Sequence, residues 1–289
     1  MSDPSTEGAS PRYDTIETWP SATILDALLE NQLAALASIR PALPALAAAA
    51  EAAIPRLRAG GRLAYAGAGT SGRIGVQDGA ELPPTFGWPR DRLVLLIAGG
   101  PAALLAAVEG AEDDASGADA ASLGPADTLL GIAASGATPY TVACIRTARS
   151  RGALTIGIAN SPAAPLLKAA EYPVLLHTGP EPVAGSTRLG AGTAQKVALN
   201  LFSTLVMTRL GHVYRGRMVD VVAGNEKLRR RSARMLADLA NVAEPQAAAA
   251  LAAARGRLKA AFLILGGRTL EHAEAALVAA GDDLRRVPF

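Results

Sequence analysis

Short apolar runs alternate with helix-like segments through the middle of the chain. Five of these runs have the length and composition of buried strands, and they cover residues 62–66, 92–98, 127–133, 153–159 and 172–176. The segments between them have apolar positions at helical spacing, and one of these predicted helices spans Ala102–Ala111. Near-continuous apolar strands alternating with helices are typical of a parallel sheet that is covered on both faces. The pattern therefore predicts an open parallel α/β sheet of about five strands with helices on both faces.

Helical patterns flank this alternating region on both sides. Leucines recur at helical spacing after Ser21, a candidate N-cap, and a second helix is predicted over Pro44–Ala59. A long helix is predicted over Gly190–Gly211, and beyond Met218 the sequence is rich in Ala, Leu and Arg at helical spacing. We predict three parts, namely an irregular N-terminal arm with helices packed on the core (1–60), the α/β domain (61–215) and a small helical region (216–289).

The composition indicates a soluble protein without a strong electrostatic field. The chain has 289 residues, of which 50% are hydrophobic and 4% aromatic, and its formal net charge is +2. The basic run Arg229–Arg231 with Arg234 has no interleaved aromatic residues, so we interpret it as a solvated helix face rather than a nucleic-acid site. Met1–Asp14 lacks the apolar region of a secretory signal, and Ala42–Ile54 is too short to span a bilayer. We expect a cytoplasmic protein that binds neither nucleic acid nor membrane.

Cysteine and histidine, which often carry chemistry, are scarce in the sequence. Cys144 is the single cysteine, so an intrachain disulfide is impossible, and its apolar neighbours favour a small buried side chain over a nucleophile. His177, His212 and His272 are far apart, and none has a neighbour of metal-ligand type. We therefore expect no metal centre.

Two loops rich in glycine and hydroxyl side chains come directly after predicted strands. Gly67–Gly72 follows the first strand and opens a helix, and Ser135–Thr138 follows the third strand. Glycines let the backbone approach an anion closely, and a helix N-terminus adds unpaired N–H donors with a partial positive charge. Ligands of open α/β sheets bind beyond the carboxyl ends of the strands. The two loops therefore predict one phosphate site, formed by Gly69, Thr70, Ser71, Ser135, Gly136 and Thr138.

Other interpretations of the first loop fit less well. Its glycine spacing matches a dinucleotide-binding fingerprint, but the second predicted strand ends in Ile97–Gly100 without the carboxylate that this fingerprint requires. A P-loop would need Gly-Lys-Ser/Thr, which the loop lacks. A turn that serves only tight packing would not explain the hydroxyl side chains in both loops.

Carboxylates cluster at two places near these loops. Asp78 and Glu81 lie on the helix opened by the first loop, which Pro83 and Pro84 are expected to end, and a carboxylate at such a break can line a cleft. Glu109, Glu112, Asp113 and Asp114 come at the end of the helix predicted after the second strand, where they oppose the helix dipole. A solvated helix end is the alternative interpretation of this second group.

Longer motifs connect these loops and carboxylates with a known family. Residues 67–87, GAGTSGRIGVQDGAELPPTFG, resemble the signature of the N-acetylmuramic acid 6-phosphate etherases, sugar isomerase (SIS) domain proteins related to the glucokinase regulatory protein. The likeness continues in order through IAGG (97–100), EGAEDD (109–114), GIAASGATPY (131–140), GSTRLGAGTAQK (185–196) and MVDVVAGNEKL (218–228). It extends from Thr6 to Leu228, and the helical tail resembles the small C-terminal region of the family.

The resemblance implies a carbon–oxygen lyase that works without a metal or an organic cofactor. Such an enzyme cleaves the D-lactyl ether at C3 of N-acetylmuramic acid 6-phosphate and gives N-acetylglucosamine 6-phosphate and D-lactate. The two catalytic glutamates of the family fall on Glu81 and Glu112, and its phosphate-binding positions include Thr70, Ser71, Ser135 and Thr138. SIS domains commonly complete their sites with a neighbouring subunit, so we expect a homodimer. The remaining pocket candidates are Asp78, Ser186, Thr187, Lys196, Asn225 and Glu226.

The sequence departs from the family pattern at several positions. Ala137 stands where the family has arginine in S-G-R-T-P, and Gly190 stands where it has lysine in K-A-G-T-A-Q. Gly79-Ala80 replaces the usual A-S before the first glutamate, and Tyr214–Arg217 replaces Y-G-N-L. Both glutamates are present, so we expect the activity to be kept, with changes in substrate contacts or rate.

The chemistry also follows from the substrate. In the ring-opened sugar the C1 aldehyde acidifies the C2 proton, so a carboxylate can remove it while an acid helps lactate to leave C3, and water then adds. Our hypothesis assigns the role of the base to Glu112 and that of the proton donor to Glu81.

Two alternative functions use the same domain, namely an aldose–ketose isomerase and a non-catalytic sensor of sugar phosphates. Such isomerases often use a histidine base, which the candidate loops lack, and only the lyase releases D-lactate.

Overall fold

The predicted strands form one five-stranded sheet. A computed structural model describes residues 6 and 8–288, so residues 1–5 and 7 of the predicted N-terminal arm lie outside the described residues. All five strands are parallel, in the order β2-β1-β3-β4-β5. They are β1 (Leu63–Gly67), β2 (Leu93–Ile97), β3 (Thr128–Ala133), β4 (Leu154–Ala159) and β5 (Tyr172–Leu175). The prediction of an open parallel sheet is confirmed.

Helices precede, connect and follow the strands. They are α1 (Ser21–Ala37), α2 (Leu43–Arg58), α3 (Gly69–Phe86), α4 (Pro139–Ser150), α5 (Pro165–Ala169), α6 (Gly190–Leu210), α7 (Glu226–Ala240), α8 (Glu244–Ala253), α9 (Leu258–Leu265) and α10 (Leu270–Ala279). A short antiparallel pair, β6 (Val213–Tyr214) and β7 (Arg217–Met218), follows α6. The helices predicted over Pro44–Ala59 and Gly190–Gly211 are thus confirmed, whereas Pro20 rather than Ser21 occupies the N-cap position of α1.

Paired glycines let helices pack directly on the centre of the sheet. Every residue of β3 and β4 is buried, and Gly131 and Gly157 are neighbours in their register. A Cβ on Gly131 would lie 2.6 Å from Cγ1 of Ile145 in α4, and one on Gly157 would lie 2.9 Å from the carbonyl oxygen of Leu166 in α5. Because cores are packed without spare volume, side chains at these positions would push both helices outward. The glycines therefore fix α4 and the loop that precedes it.

The prediction of a helix over Ala102–Ala111 is wrong. In the fully described segment between β2 and β3, the chain forms 3-10 turns over Gly100–Leu104, Ala111–Asp113 and Ala118–Ser122 instead of an α-helix. Four glycines of this segment have positive φ angles between +63° and +82°, namely Gly99, Gly100, Gly110 and Gly117. A right-handed helix cannot continue through such residues, so the segment is divided into short turns.

The chain forms two compact units. The first contains the five-stranded sheet and comprises residues up to Ala80 together with Asp91–Ser203, and the second comprises Glu81–Arg90 and the residues from Thr204 on. The second unit has its own core, to which α7, α8, α9 and α10 contribute Leu236, Leu251, Leu263 and Leu277. The three-part division predicted from the sequence stays a prediction.

Helix α1 presents a row of leucines to solvent. Leu25, Leu29 and Leu33 follow one another at one-turn spacing and are 67%, 57% and 57% exposed. Residues 21–58 are long and apolar enough to match a membrane-spanning helix, a property that core helices of soluble proteins and signal sequences share. In the structure this stretch consists of two helices of 17 and 16 residues, joined by a 3-10 turn over Arg40–Ala42. Each is shorter than the roughly 20 residues that span a bilayer.

Candidate functional site

A polar cleft of about 350 Å³ lies at the carboxyl ends of β1 and β3. These two strands are neighbours, and β2 lies on the other side of β1, so the chain leaves them toward opposite edges of the sheet. Such switch points are where open α/β sheets bind ligands. The cleft is lined by Ala68, Gly69, Thr70, Ser71, Glu112, Asp113, Ala134, Ser135, Ala137, Thr138, Pro139 and Thr187. The structure therefore brings five of the six predicted phosphate residues and one predicted catalytic glutamate together.

The N-terminus of α3 forms the first wall of the cleft. One residue, Ala68, separates β1 from α3, and the turn is so tight that a Cβ on Gly72 would lie 2.7 Å from the carbonyl oxygen of Gly67. The Gly72 N–H donates to the carbonyl oxygen of Ala68 at 3.0 Å. The N–H groups of Thr70 and Ser71 come before this bond and have no helical acceptor. Two N–H donors, two hydroxyls and the positive end of the helix dipole therefore meet at this wall.

The loop between β3 and α4 forms the second wall. Gly136 supports this loop from behind, with a φ of +66° and with no space for a Cβ, which would lie 2.4 Å from Cβ of Ala164. The Ser135 Oγ accepts the N–H of Ala137 at 3.2 Å, and its own O–H remains able to donate. Thr138 is the N-cap of α4, but its side chain makes no capping hydrogen bond. The Thr138 hydroxyl is therefore available to a ligand, which a typical threonine cap would not be.

Glu112 and Asp113 form the acidic side of the cleft. They belong to the 3-10 turn Ala111–Asp113, and both side chains are exposed. The sequence indicates Asp113 only as a member of an acidic group, and the structure places it in the lining of the cleft.

Glu81 is not among the described residues that line this cleft. It lies further along α3, at the point where the helix enters the second unit, and it is exposed. The prediction that Pro83 and Pro84 end the helix is wrong by two residues, because α3 continues to Phe86. Gly87, with a φ of +64°, then ends it.

Asp78 lies in a buried hydrogen-bond network rather than in the lining of the cleft. It is 5% exposed, and its carboxylate accepts hydrogen bonds from the Tyr65 hydroxyl (2.9 Å), Asn200 Nδ2 (2.6 Å) and Ser203 Oγ (3.2 Å). Burial raises the pKa of Asp78, and the three donors offset part of that rise. Lys196, also named as a pocket candidate, is exposed and donates from Nζ to Oδ1 of Asn200. The network thus joins α3 to β1 and α6.

The segment before α6 contributes one residue to the cleft. Thr187 lines it, and the Thr187 carbonyl oxygen accepts the N–H of Gly192 at 2.8 Å, which holds the segment to the first turn of α6. The candidate Ser186 lies in the preceding turn, where its N–H donates to the carbonyl oxygen of Val183 at 2.9 Å.

Asn225 and Glu226 have local roles in the second unit. Asn225 caps α7, since its side-chain oxygen accepts the N–H of Leu228 at 2.9 Å. Glu226 forms ion pairs with Arg229 at 3.2 Å and Arg230 at 3.1 Å. All four arginines of the basic run are exposed on α7, and their interpretation as a solvated helix face rather than a nucleic-acid site stays a prediction.

Gly190 replaces the family's lysine at a position with no room for a side chain. A Cβ there would lie 2.9 Å from Oδ1 of Asn31 and 3.2 Å from Oε2 of Glu181. Glu181 is 1% exposed, and its carboxylate accepts the N–H groups of Gly190 and Ala191, both at 2.9 Å. This buried carboxylate caps α6. Sequence reasoning missed it, because a lone glutamate between two prolines gives no periodic signal.

Two other departures from the family pattern have local explanations. A Cβ on Gly79 would lie 2.7 Å from Cδ2 of Leu95, so the glycine lets α3 pack closely on β2. Arg215 and Gly216, with φ angles of +47° and +73°, form the tight turn between β6 and β7. Neither change alters the lining of the cleft, whereas Ala137 does.

Cys144 is buried, as predicted. Burial raises the pKa of its thiol to about 12, so the thiolate is not formed at neutral pH. Among residues 6 and 8–288, no three side chains of His, Cys, Asp or Glu form a group that could hold a metal ion.

Comparison with known proteins finds relatives that match nearly the whole chain. The family described as "Glucokinase regulatory protein N-terminal SIS domain" matches residues 45–149, and the family described as "SIS domain" matches residues 103–208. The N-acetylmuramic acid 6-phosphate etherase of Deinococcus radiodurans is 48% identical over 293 residues, covering 99% of this chain and 96% of the relative. That of Streptomyces avermitilis is 45% identical over 291 residues, covering 95% and 94%.

A solved structure shares the fold of the sheet. It comes from Bacteroides fragilis, and its description names a phosphosugar isomerase involved in capsule formation. It superposes with a TM-score of 0.51 over 66% of this chain and 91% of that one, at 22% identity.

Proposed function

The chain belongs to the N-acetylmuramic acid 6-phosphate etherase family, and on that premise we propose that it is a carbon–oxygen lyase that converts N-acetylmuramic acid 6-phosphate to N-acetylglucosamine 6-phosphate and D-lactate. The observation that supports the proposal most directly is the set of side chains that line the cleft. Hydroxyls and N–H donors at the starts of α3 and α4 line one part of it, and Glu112 lines another. An anion-binding wall and a carboxylate are what this reaction requires.

The first step of the proposal is that the two helix starts hold the sugar phosphate. Thr70, Ser71, Ser135 and Thr138 supply hydroxyls, and no lysine or arginine is among the described residues that line the cleft. The phosphate charge is then balanced by N–H dipoles, each helix N-terminus contributing about 0.3–1 kcal/mol and up to about 2 kcal/mol where it is partly buried. Because the phosphate is remote from C2 and C3, its binding fixes the position of the reacting carbons.

The second step is elimination of lactate from the ring-opened sugar. We assign to Glu112 the removal of the C2 proton, whose electron pair forms the C2–C3 double bond as the C3–oxygen bond breaks. Glu81 protonates the departing lactyl oxygen. Water then adds at C3 and a proton returns to C2, which gives the product. Each positioned proton transfer contributes roughly 10²–10⁴-fold to the rate.

The third part of the proposal is that a second subunit covers the site. Glu81 and Glu112 are both exposed in the single chain, whereas proton transfer of this kind is favoured where water is excluded. We propose a homodimer whose contact surface includes the leucine row of α1, Leu25, Leu29 and Leu33, because such a row is costly to leave in water. Sedimentation of the wild type as a dimer, and of a Leu29→Glu/Leu33→Glu variant as a monomer, is the expected result. A monomeric wild type at micromolar concentration would contradict the proposed homodimer.

The proposal is tested by an assay of D-lactate release from N-acetylmuramic acid 6-phosphate. We expect the wild type to release one D-lactate per sugar, and Glu81→Gln and Glu112→Gln each to lower kcat by at least about 10²-fold with an unchanged circular dichroism spectrum. An isomerase or a sensor would release none. Near-normal turnover in either variant would remove that glutamate from the mechanism.

A further inference from the structure

We infer that Arg73 is a positioning residue, which ties the segment carrying Glu112 to the helix that holds the phosphate. Arg73 lies in the first turns of α3, close after Thr70 and Ser71. Its Nε donates to the carbonyl oxygen of Ala103 at 2.8 Å, and its Nη2 donates to the carbonyl oxygen of Ala106 at 3.3 Å. One side chain thus connects the phosphate wall of the cleft with the segment that leads to its acidic side. The inference rests on the proposed function for the role of Glu112.

Among the described residues, the backbone hydrogen bonds of the segment that Arg73 holds are those of its own local turns, and Ala111 also packs against the core that α4 shares with the sheet. Leu105 and Ala106 both donate from N–H to the carbonyl oxygen of Ala102 at 3.2 Å, and Asp113 donates to that of Gly110 at 3.1 Å. Leu105 is 96% exposed, and Ala103 is the buried residue of its turn. Turns of this kind open easily when nothing attaches them to a rigid element. The two carbonyl contacts of Arg73 attach the first part of the segment, residues 103–106, to α3 by hydrogen bonds.

The chemistry of the contact requires arginine. A guanidinium offers several N–H donors in a fixed planar fork, so two of them can reach two carbonyl oxygens at once. A lysine offers one ammonium on a flexible stem and cannot hold the same pair in a fixed geometry. Arg73 therefore fixes the position of the segment as well as attaching it.

The consequence is a link between substrate binding and catalysis. Thr70 and Ser71 bind the phosphate from the same helix turn that, through Arg73, places Glu112. A reacting group displaced by about 1 Å can cost about 10²-fold in rate. Loss of Arg73 should therefore lower kcat strongly and leave the affinity for the phosphate group nearly unchanged.

Arg56 provides a matched control. Its Nη1 also donates to two backbone carbonyl oxygens, those of Pro125 and Gly152, both at 2.9 Å. These two residues precede β3 and β4 and therefore lie at the amino ends of the strands, away from the cleft. Arg56→Met removes the same kind of contact as Arg73→Met without touching the segment that carries Glu112.

The experiment combines hydrogen exchange with kinetics for wild type, Arg73→Met, Arg73→Lys and Arg56→Met. In the free protein we expect amide exchange over residues 103–113 to become about tenfold faster in Arg73→Met and to stay at the wild-type rate in Arg56→Met. In the lactate assay we expect kcat of Arg73→Met to fall about 10–100-fold, with the Kd for N-acetylglucosamine 6-phosphate within about threefold of wild type. Arg73→Lys should lie between Arg73→Met and wild type in both exchange and kcat, and it decides the question if Arg73→Met does not fold.

Wild-type exchange over residues 103–113 in both Arg73 variants would overturn the inference. So would an equal loss of kcat in Arg56→Met, because the effect would then be one of general stability. The exchange measurement needs no turnover. A wild type that releases no D-lactate would therefore refute the proposed function, and exchange would still decide whether Arg73 holds the segment.

Discussion

Gly136 packs against the core and lies between two residues of the proposed phosphate site, so the change Gly136→Ala probes both the fold and that site. The residue combines a φ of +66° with a position against α5, where an added Cβ would lie 2.4 Å from Cβ of Ala164 and 2.8 Å from Cβ of Ala159. Ser135 and Thr138, on either side of it, line the cleft. Any shift of the loop that relieves the overlap must move these two hydroxyls.

The expected loss of stability has two contributions. A left-handed backbone costs a residue with a Cβ about 1–2 kcal/mol. Overpacking of a filled core costs about 1–3 kcal/mol more. Gly100→Ala isolates the first contribution, because Gly100 has the same φ of +66° but no atom within 4 Å of an added Cβ. We therefore expect Gly136→Ala to lose about 2–5 kcal/mol and Gly100→Ala about 1–2 kcal/mol.

Urea unfolding followed by circular dichroism measures this difference. With a slope of about 1–3 kcal/mol per molar urea, the midpoint of Gly136→Ala should lie about 1 M below that of Gly100→Ala. Calorimetry with N-acetylglucosamine 6-phosphate should show at least about tenfold weaker binding for Gly136→Ala, the equivalent of one lost hydrogen bond to a charged group. Equal midpoints for the two variants would refute the packing argument, and unchanged binding would refute the placement of the phosphate beside this loop.

Two further predictions concern Asp78 and Ala137. Burial raises the pKa of Asp78 above its unfolded value, so the contribution of this group to stability is complete below about pH 4 and is lost as the pH rises through the folded pKa. The Asp78→Asn variant should therefore become more stable relative to wild type as the pH rises from about 4.5 to about 7.5, measured by urea unfolding. A stability difference that stays constant over this range would contradict the prediction. Ala137 lines a cleft with no cation among its described lining residues, so Ala137→Arg should tighten product binding about 10–100-fold through a charge-assisted hydrogen bond to the phosphate, and unchanged affinity in calorimetry would place the phosphate elsewhere.

The strands could be predicted from the sequence because each is a short apolar run, and β1, β3 and β4 are buried throughout. Leu129, Ile132, Ile156 and Ile158 are fully buried, and their pattern needs no knowledge of distant contacts. The segment between β2 and β3 could not be predicted in the same way. Its alanines and leucines have helical spacing, but the backbone is decided by glycines that adopt positive φ, such as Gly99 and Gly110. Local backbone conformation overrides the apolar pattern there.

The two walls of the candidate site could be predicted because each is encoded by a short stretch of local sequence. Glycine and hydroxyl residues after β1 and β3 indicated the two walls of the cleft, because strand ends in a parallel sheet meet at one edge. The surroundings of Asp78 depend on Asn200 and Ser203, which are more than 120 positions away in the chain. The contact of Arg73 with the Glu112 segment likewise depends on tertiary packing. The roles of Glu81 and Glu112 came from the resemblance and stay a prediction.

Release of D-lactate from N-acetylmuramic acid 6-phosphate by the purified protein tests the central claim most directly. The account predicts stoichiometric D-lactate with N-acetylglucosamine 6-phosphate as the second product, and a loss of at least about 10²-fold in kcat when Glu112, which lines the cleft beside Asp113, becomes glutamine. A folded protein that binds the sugar phosphate but releases no lactate would contradict it.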